Sequence, residues 1–270
     1  METRELLFEL AHPIRYGIVQ EIAHGPKRLT KLAVLVDAST PEVSRHLERL
    51  GEVGITEKNA EGSYSLAPIG KIIVNYLPAF EFVARESEYL QSHDLSRLPS
   101  PFLSRLGDLG AGEIRHGELS NIELVLGILR RARRRLRVLT LESFHTSSPD
   151  GGTSLSGIGL NMDYRLVVDR RYRFRHTQHP GGPPSPELKE VARVVTNIPA
   201  ASVATESEAA IAFPARNGKL DYSVGLYSTH GPFVAWCSEL TDYLWERGER
   251  IGASPQRPPR LSRHLPQNSH

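Results

Sequence analysis

The chain has 270 residues and a formal net charge of +2, with 39% hydrophobic and 24% charged residues. This length and composition indicate globular structure with room for two domains. The single cysteine, Cys237, excludes an internal disulfide and a cysteine-only zinc site. No window approaches the roughly 20 apolar residues that a membrane span needs. The first ten residues carry acids where a secretory signal has a basic lead, so the expected location is the cytoplasm.

Residues 29–51 predict two short helices joined by a turn. The first is expected over 29–36 and the second over 40–51. Ser39 and Glu42 have the spacing of a capping box, and Pro41 suits a first helical turn, where no amide hydrogen bond is lost. The second helix has an apolar stripe that spaces its members at i, i+4 and i+7: Val43, Leu47 and Leu50.

Two strand-like runs follow the second helix, "ITEK" at 55–58 and "SYSL" at 63–66, separated by the turn "NAEG". With the upstream "HPIRYGIVQEI", they resemble the winged helix-turn-helix of arsenical-repressor-like archaeal transcriptional regulators. The resemblance implies that residues 40–50 form a recognition helix that enters the DNA major groove. The residues implied as base or phosphate contacts are Lys27, Arg28, Lys31, Thr40, Ser44, Arg45, His46, Arg49 and Lys58.

The charge of this region argues the other way. Residues 1–90 contain ten basic and thirteen acidic residues, whereas DNA-binding modules are usually basic. The alternative is therefore a winged-helix module that binds protein and has lost DNA binding. DNA is favoured because the basic residues cluster on the predicted groove side.

Residues 68–90 carry more apolar side chains than one small domain needs, which predicts a dimer contact. Pro78 should break this helix into two segments. A two-fold dimer would place two recognition helices about 34 Å apart, so an inverted-repeat binding site is expected.

Six arginines lie within residues 130–139, "RRARRRLRVL". Ser120 and Glu123 predict a second capping box, and the apolar spacing after them predicts an amphipathic helix that ends in the arginines. From Arg137 the pattern changes to that of a strand. The arginines are therefore interpreted as the solvated face of a helix–strand junction rather than a nucleic-acid contact.

The remaining sequence alternates strand and helix patterns. Strands are expected at 164–169, 171–176, 201–215 and 222–228, and helices at 186–195 and 233–250. The stretch "DYSVGLYSTHGPFVAWCSELTDYLWERGERI" resembles the effector domain of archaeal methanogenesis-regulator-type proteins, which is similar to the sugar-sensing half of TrmB-type regulators. The resemblance implies a transcriptional regulator with a small-molecule effector, and the effector-binding residues are predicted as Ser228, His230 and Trp236.

The predicted fold class is α+β in two domains. An N-terminal winged helix-turn-helix domain spans 1–90, an α/β effector or dimerisation domain spans 91–251, and a disordered tail spans 252–270. No catalytic constellation, cofactor loop or metal site is predicted, because no histidine has a lysine two positions later and His176 and His179 are read as a surface loop. The expected partners are double-stranded DNA, a second copy of the chain and the effector.

Overall fold

The computed structural model describes residues 2–140, 162–170 and 186–251. They form two compact units of an α+β fold. The first unit comprises Met1–Gln91 and Pro99–Ala111, and the second comprises Ser92–Leu98 and the residues from Gly112 onward. The predicted strand at 171–176, the loop of His176 and His179, and the tail at 252–270 lie outside the described residues. None of the described helices has the length and hydropathy needed to cross a membrane.

The first unit is a winged helix with additional helices at both ends. Its three strands form a small sheet in the order β1-β3-β2, in which both pairings are antiparallel. Its elements in chain order are α1 (Thr3–Leu10), α2 (Pro13–Ala23), β1 (Lys27–Arg28), α3 (Leu29–Leu35), α4 (Thr40–Glu52), β2 (Thr56–Lys58), β3 (Ser63–Leu66), α5 (Pro68–Val74), α6 (Leu77–Arg85), α7 (Ser87–Ser92), α8 (Ser100–Leu103) and a 3₁₀ helix (Leu106–Ala111).

Helix α4 confirms the prediction made for residues 40–51. The hydroxyl Oγ of Ser39 accepts a hydrogen bond from the Glu42 amide at 3.4 Å, which satisfies one of the free donors at the helix start. Val43, Leu47 and Leu50 are at most 2% exposed and pack in the core of the unit. The local pattern therefore fixes which face of α4 points outward.

A close backbone contact holds α5 against the end of the turn after α4. A Cβ atom added at Gly70 would lie 2.1 Å from the carbonyl oxygen of Ile55. Since both partners at this point are backbone, no side-chain rotation could relieve the clash. Only glycine fits here.

The apolar segment after the wing is broken, as predicted, but not only at the proline. Helix α5 ends at Val74, and Pro78 lies in the first turn of α6. The 3₁₀ helix packs on α6, where a Cβ added at Gly107 would lie 2.6 Å from the Pro78 Cβ. For this reason Pro99–Ala111 belongs to the first unit, whereas the sequence assigned residues after 90 to the second domain.

The second unit is built on a mixed sheet of eight described strands in the order β11-β7-β6-β5-β8-β9-β10-β4. The central pairs β5–β6 and β6–β7 are parallel and the other pairs are antiparallel. The elements are β4 (Glu113–His116), α9 (Glu118–Arg131), β5 (Arg135–Thr140), β6 (Asp163–Asp169), α10 (Pro186–Val191), β7 (Ala192–Val195), β8 (Ala201–Ala204), β9 (Ala209–Ala212), β10 (Val224–Ser228), α11 (Gly231–Arg247) and β11 (Glu249–Arg250).

Helices α9 and α11 cover opposite faces of this sheet. Successive strand residues point to opposite faces, and neighbours on β5 show which is which. Arg137 binds Asp242 of α11, whereas Val138 packs in a cluster with Ile128 of α9. The sheet is therefore a central layer between two helices.

Two predictions for the arginine-rich segment are wrong. Helix α9 begins at Glu118 after Gly117, whose φ is +106°, so Ser120 lies inside the helix and does not cap it. Arg137 is 3% exposed rather than solvated, because its guanidinium forms ion pairs with Asp163 and Asp242. The predicted helix at 186–195 also ends early, at Val191, where β7 takes over.

Candidate nucleic-acid interface

The outward face of α4 is the centre of the candidate interface. Thr40, at the start of the helix, and Arg45, one turn further on, are exposed, while Ser44 is half-buried. Glu48 is exposed next along the helix and adds a negative charge. The face is thus short and mixed in charge, with Arg45 as its free cation.

Three of the predicted basic contacts are exposed and form no ion pair with the residues that the structure describes. Arg45 lies on α4, Arg28 precedes α3, and Lys31 lies in the first turn of α3. Arginine guanidinium groups can bind phosphate or guanine edges with two donors, and lysine ammonium groups bind phosphate as point charges. These three cations are free to contact an anionic partner.

Arg49, a predicted DNA contact, is exposed but forms an ion pair within the first unit. Its Nε lies 2.8 Å from each carboxylate oxygen of Glu9, and its guanidinium carbon lies 5.4 Å from the Phe8 ring centroid. Glu9 is almost fully buried and also pairs with Arg15 at 2.9 Å. The Arg49 hydrogen bond holds the pKa of Glu9 below its usual value. Arg49 therefore links α4 to α1, and its charge is partly neutralised by Glu9.

His46 is also turned inward. Its ring is half-buried and lies 4.4 Å from the ring of His12, centroid to centroid. Burial, with the neighbouring His12 as a second cause, lowers the pKa of His46. The lowered pKa disfavours the charged form of this imidazole, so His46 is a weaker source of positive charge than the arginines.

The last two predicted contacts have partners within the first unit. Lys27 Nζ lies 3.9 Å from a carboxylate oxygen of Glu21, with its side chain mostly buried. Lys58 is exposed on the wing, where its ammonium lies 5.4 Å from the Tyr64 ring centroid. Lys58 remains placed to reach a phosphate, whereas Lys27 supports the β1 strand.

Sequence reasoning missed Glu9, which pairs with Arg49, and Arg15, the second arginine that pairs with Glu9. Arg15 is 4% exposed and donates from Nε to the Glu9 carbonyl oxygen at 2.7 Å and from Nη2 to the Phe8 carbonyl oxygen at 2.9 Å. Buried charges are almost always paired. In the sequence, the available signal for a buried pair was that Glu9 and Arg15 each lie next to apolar residues.

The three predicted effector-binding residues do not form an open site. Trp236 is a residue of α11 and is fully buried in the core. Ser228 is 7% exposed, and its Oγ accepts a hydrogen bond at 3.1 Å from the amide of His230, the exposed residue at the start of α11. The indole fills interior space because α11 packs directly on the sheet.

No protein-family model matches the chain, and no curated protein matches it. Among solved structures, one similar chain is TrmBL2, which is described as an archaeal chromatin protein with a novel mode of DNA binding. It is 13% identical, with a TM-score of 0.40, and the match covers 91% of this chain and 97% of that one.

Other similar structures are LaPhzM and Pseudomonas aeruginosa HmgR. LaPhzM is 14% identical, with a TM-score of 0.26, over 72% of this chain and 63% of that one. HmgR is 11% identical, also with a TM-score of 0.26, over 93% of this chain and 100% of that one. These scores are all low, so the proposals below rest on the geometry of this chain.

Proposed function

We propose that the protein is a cytoplasmic DNA-binding transcriptional regulator of the archaeal type, which inserts the outward face of α4 into the major groove. The observation that carries this proposal is the orientation of α4. Its buried stripe and its N-terminal cap turn Arg45 outward, next to a turn and helix that display Arg28 and Lys31. In helix-turn-helix proteins the second helix reads base edges while its neighbour holds the backbone.

The charge balance limits the affinity that this surface can give. Arg15 and Arg49 both form ion pairs with Glu9. Part of their positive charge is therefore already neutralised within residues 1–90, where acidic residues are in excess. The surface can therefore neutralise only a few phosphates. The decrease in affinity with rising ionic strength is set by the number of these contacts. Specific contacts from Arg45 then matter more than the overall field.

The test is binding of the full chain to the DNA upstream of its own gene, measured over a salt series. Arg45→Ala should weaken binding by roughly tenfold or more, the range for loss of one base contact. The matched control is Lys219→Ala, which removes one exposed charge of the same sign from the second unit. This control should leave the affinity nearly unchanged.

Two results would contradict the proposal. One is the absence of sequence-preferring binding at low salt. The other is an equal loss of affinity in Arg45→Ala and Lys219→Ala, which would indicate non-specific attraction only. The first result would favour the alternative, a winged-helix module that binds protein, for which the acidic excess is the supporting observation.

Dimerisation through α5 and α6 is the second part of the proposal. Five large apolar residues are exposed on and between these helices, each at least 44% accessible, and large exposed apolar clusters mark interaction sites. They are Ile69, Ile72, Tyr76, Phe80 and Val83. A two-fold dimer through this surface would favour an inverted repeat with half-sites about one DNA turn apart.

Sedimentation velocity tests the dimer. Ile72→Glu combined with Phe80→Glu should convert the protein to monomers, because two carboxylates would be desolvated in the contact. Leu119→Glu is the control, since Leu119 is 78% exposed in the second unit. A dimer that persists in the double variant would place the contact elsewhere.

A further inference from the structure

A cavity of about 60 Å³ lies in the second unit between α9 and the sheet. It is lined mostly by aliphatic side chains from the helix and by very small residues from the strands. The principal lining residues are Ile122, Val125 and Leu129 of α9, and Ala210, Ala212 and Gly225 of the sheet.

The cavity exists because one face of these strands carries small residues. Protein interiors are normally close-packed, with few voids larger than a water molecule. On the opposite face of the same strands, Leu139, Ile211 and Leu226 lie in one row across the sheet, with Ser202 of β8 between Leu139 and Ile211, and the three are at most 2% exposed. The space under α9 is thus confined to one side of a sheet that is otherwise filled.

Helix α9 is only partly buried against the sheet. Of its residues only Ile128 is fully buried, while Ile122, Val125 and Leu129 are half-buried. Val125 and Leu129 pack at the edge of the core cluster around Ile128, and their remaining surface borders the cavity. A bound apolar molecule would complete the packing of this helix.

The cavity has a polar end with a single charge among the described residues that line it. This charge is Arg115, whose side chain is 51% exposed and pairs at 2.8 Å with Glu113, itself 70% exposed. Ion pairs this accessible to solvent are weak, so an incoming carboxylate can compete for the guanidinium. Nearby, Asn121 Nδ2 donates to the Tyr222 carbonyl oxygen at 2.9 Å and fixes the helix start to the sheet.

We infer that this cavity binds a small monocarboxylic acid with an apolar body, such as an aromatic or branched short-chain acid. The body lies against Val125 and Ala210, and the carboxylate binds Arg115. An enclosed cavity that binds benzene measures roughly 150 Å³, so an aromatic body enters this smaller cavity only in part and leaves its carboxylate outside, near Arg115. Any coupling of this site to DNA rests on the function proposed above, but binding of the acid does not.

The first experiment measures thermal stabilisation and calorimetric binding of the full chain, without DNA, for three probes. Benzoate should bind saturably and raise the melting temperature by about 3 °C or more at ten times its dissociation constant. Benzyl alcohol has the same body without the charge and should bind about tenfold more weakly, because it lacks a charge-assisted hydrogen bond. Acetate, which has the charge without the body, should not bind.

Variants locate the site. Ala210→Leu fills the cavity and should abolish benzoate binding, whereas Leu119→Ala, at an exposed position on the same helix, should leave it unchanged. Arg115→Gln should weaken benzoate about tenfold and leave benzyl alcohol unaffected. Should Ala210→Leu fail to fold, Val125→Ala provides the test, because a larger cavity should shift the preference from benzoate towards 4-methylbenzoate.

Absence of saturable binding for all three probes at millimolar concentration would overturn the inference. So would benzoate binding that is indifferent to both Ala210→Leu and Val125→Ala, since the acid would then occupy another site. Because no DNA is present, neither result bears on the DNA-binding proposal. Failure of DNA binding would in turn leave these measurements intact.

Discussion

Each unit contains a charged cluster around one buried central residue, and the two central residues carry opposite charges. In the first unit one carboxylate is shared by two arginines; in the second unit one arginine is shared by two aspartates. The Glu9 cluster consists of Glu9, Arg15 and Arg49. The Arg137 cluster consists of Arg137, Asp163 and Asp242, with Arg165 as a second partner of Asp242 at 3.1 Å.

The clusters differ in what would be stranded if the central charge were removed. Arg15, an outer member of the Glu9 cluster, is 5% exposed, so it would lose its only carboxylate away from water. The outer members of the Arg137 cluster, Asp163 and Asp242, are 57% and 31% exposed. They can be hydrated when their partner is lost. The cost of breaking an ion cluster therefore depends more on the neighbours than on the central residue.

The largest effect is expected for Glu9→Gln. It keeps the shape of the side chain but leaves the buried Arg15 without a counter-charge, which should reduce the free energy of unfolding by about 3 kcal/mol. Urea denaturation followed by circular dichroism measures this loss. A change below about 1 kcal/mol would show that the carbonyl bonds of Arg15 suffice alone.

A smaller loss is expected for Arg137→Met, of about 1 kcal/mol, because the methionine replaces the buried stem while both aspartates remain hydrated. Both tryptophans, Trp236 and Trp245, lie in the second unit. Their fluorescence therefore reports this variant. If Arg137→Met proves more damaging than Glu9→Gln, the difference in neighbour exposure is not what sets the cost.

Acid should weaken both clusters. Arg49 lowers the pKa of Glu9 and Arg137 lowers that of Asp163, in each case mainly through a hydrogen bond to the carboxylate. A carboxylate with a depressed folded pKa stabilises the protein above its unfolded pKa, and this contribution is lost as pH falls from that value towards the folded one. Stability should therefore fall below about pH 4.3, the ordinary pKa of glutamate.

Glu9→Gln is the control for the pH profile. The variant lacks the titrating group, so its free energy of unfolding should depend less on pH between about 4.3 and 2 than that of the parent protein. Parallel pH profiles for the two proteins would contradict the assigned role of Glu9.

The smallest effect on stability is expected for Arg45→Ala, within about 0.5 kcal/mol, as for other exposed residues away from special contacts. Arg49→Ala, four residues further along the same helix, should destabilise the protein because it removes an ion-pair partner of Glu9. Melting temperatures of the two variants test this separation. Equal melting temperatures would mean that Arg49 is as free as Arg45.

The winged helix was predictable because its signals are local. Ser39, Pro41 and the apolar stripe of α4 lie within about a dozen residues, and the burial they predict is confirmed. The engagement of Arg49 was not predictable in this way, since Glu9 is 40 residues distant in sequence and no periodicity links them. The orientation of α4 can therefore be predicted from the local pattern. Which of its arginines forms an ion pair and which does not cannot be predicted in this way.

The second unit was less predictable for the same physical reason. Arg137 binds Asp163 and Asp242, which lie 26 and 105 residues further along the chain. A run of arginines resembles a solvated face until its partners are placed. Likewise, Gly70 looks unremarkable in the sequence, although the carbonyl of Ile55 leaves no room for any side chain there.

The two edges of the eight-stranded sheet have a consequence for the behaviour of the protein at high concentration. At one edge lies β11, only two residues long, Glu249 and Arg250; at the other lies β4, which carries Glu113, Arg115 and His116. Short or charged edge strands resist pairing with another chain. Growth of the sheet from one molecule to the next is therefore disfavoured at both of the described edges. Concentrated protein should accordingly resist fibril formation, even where its helices associate.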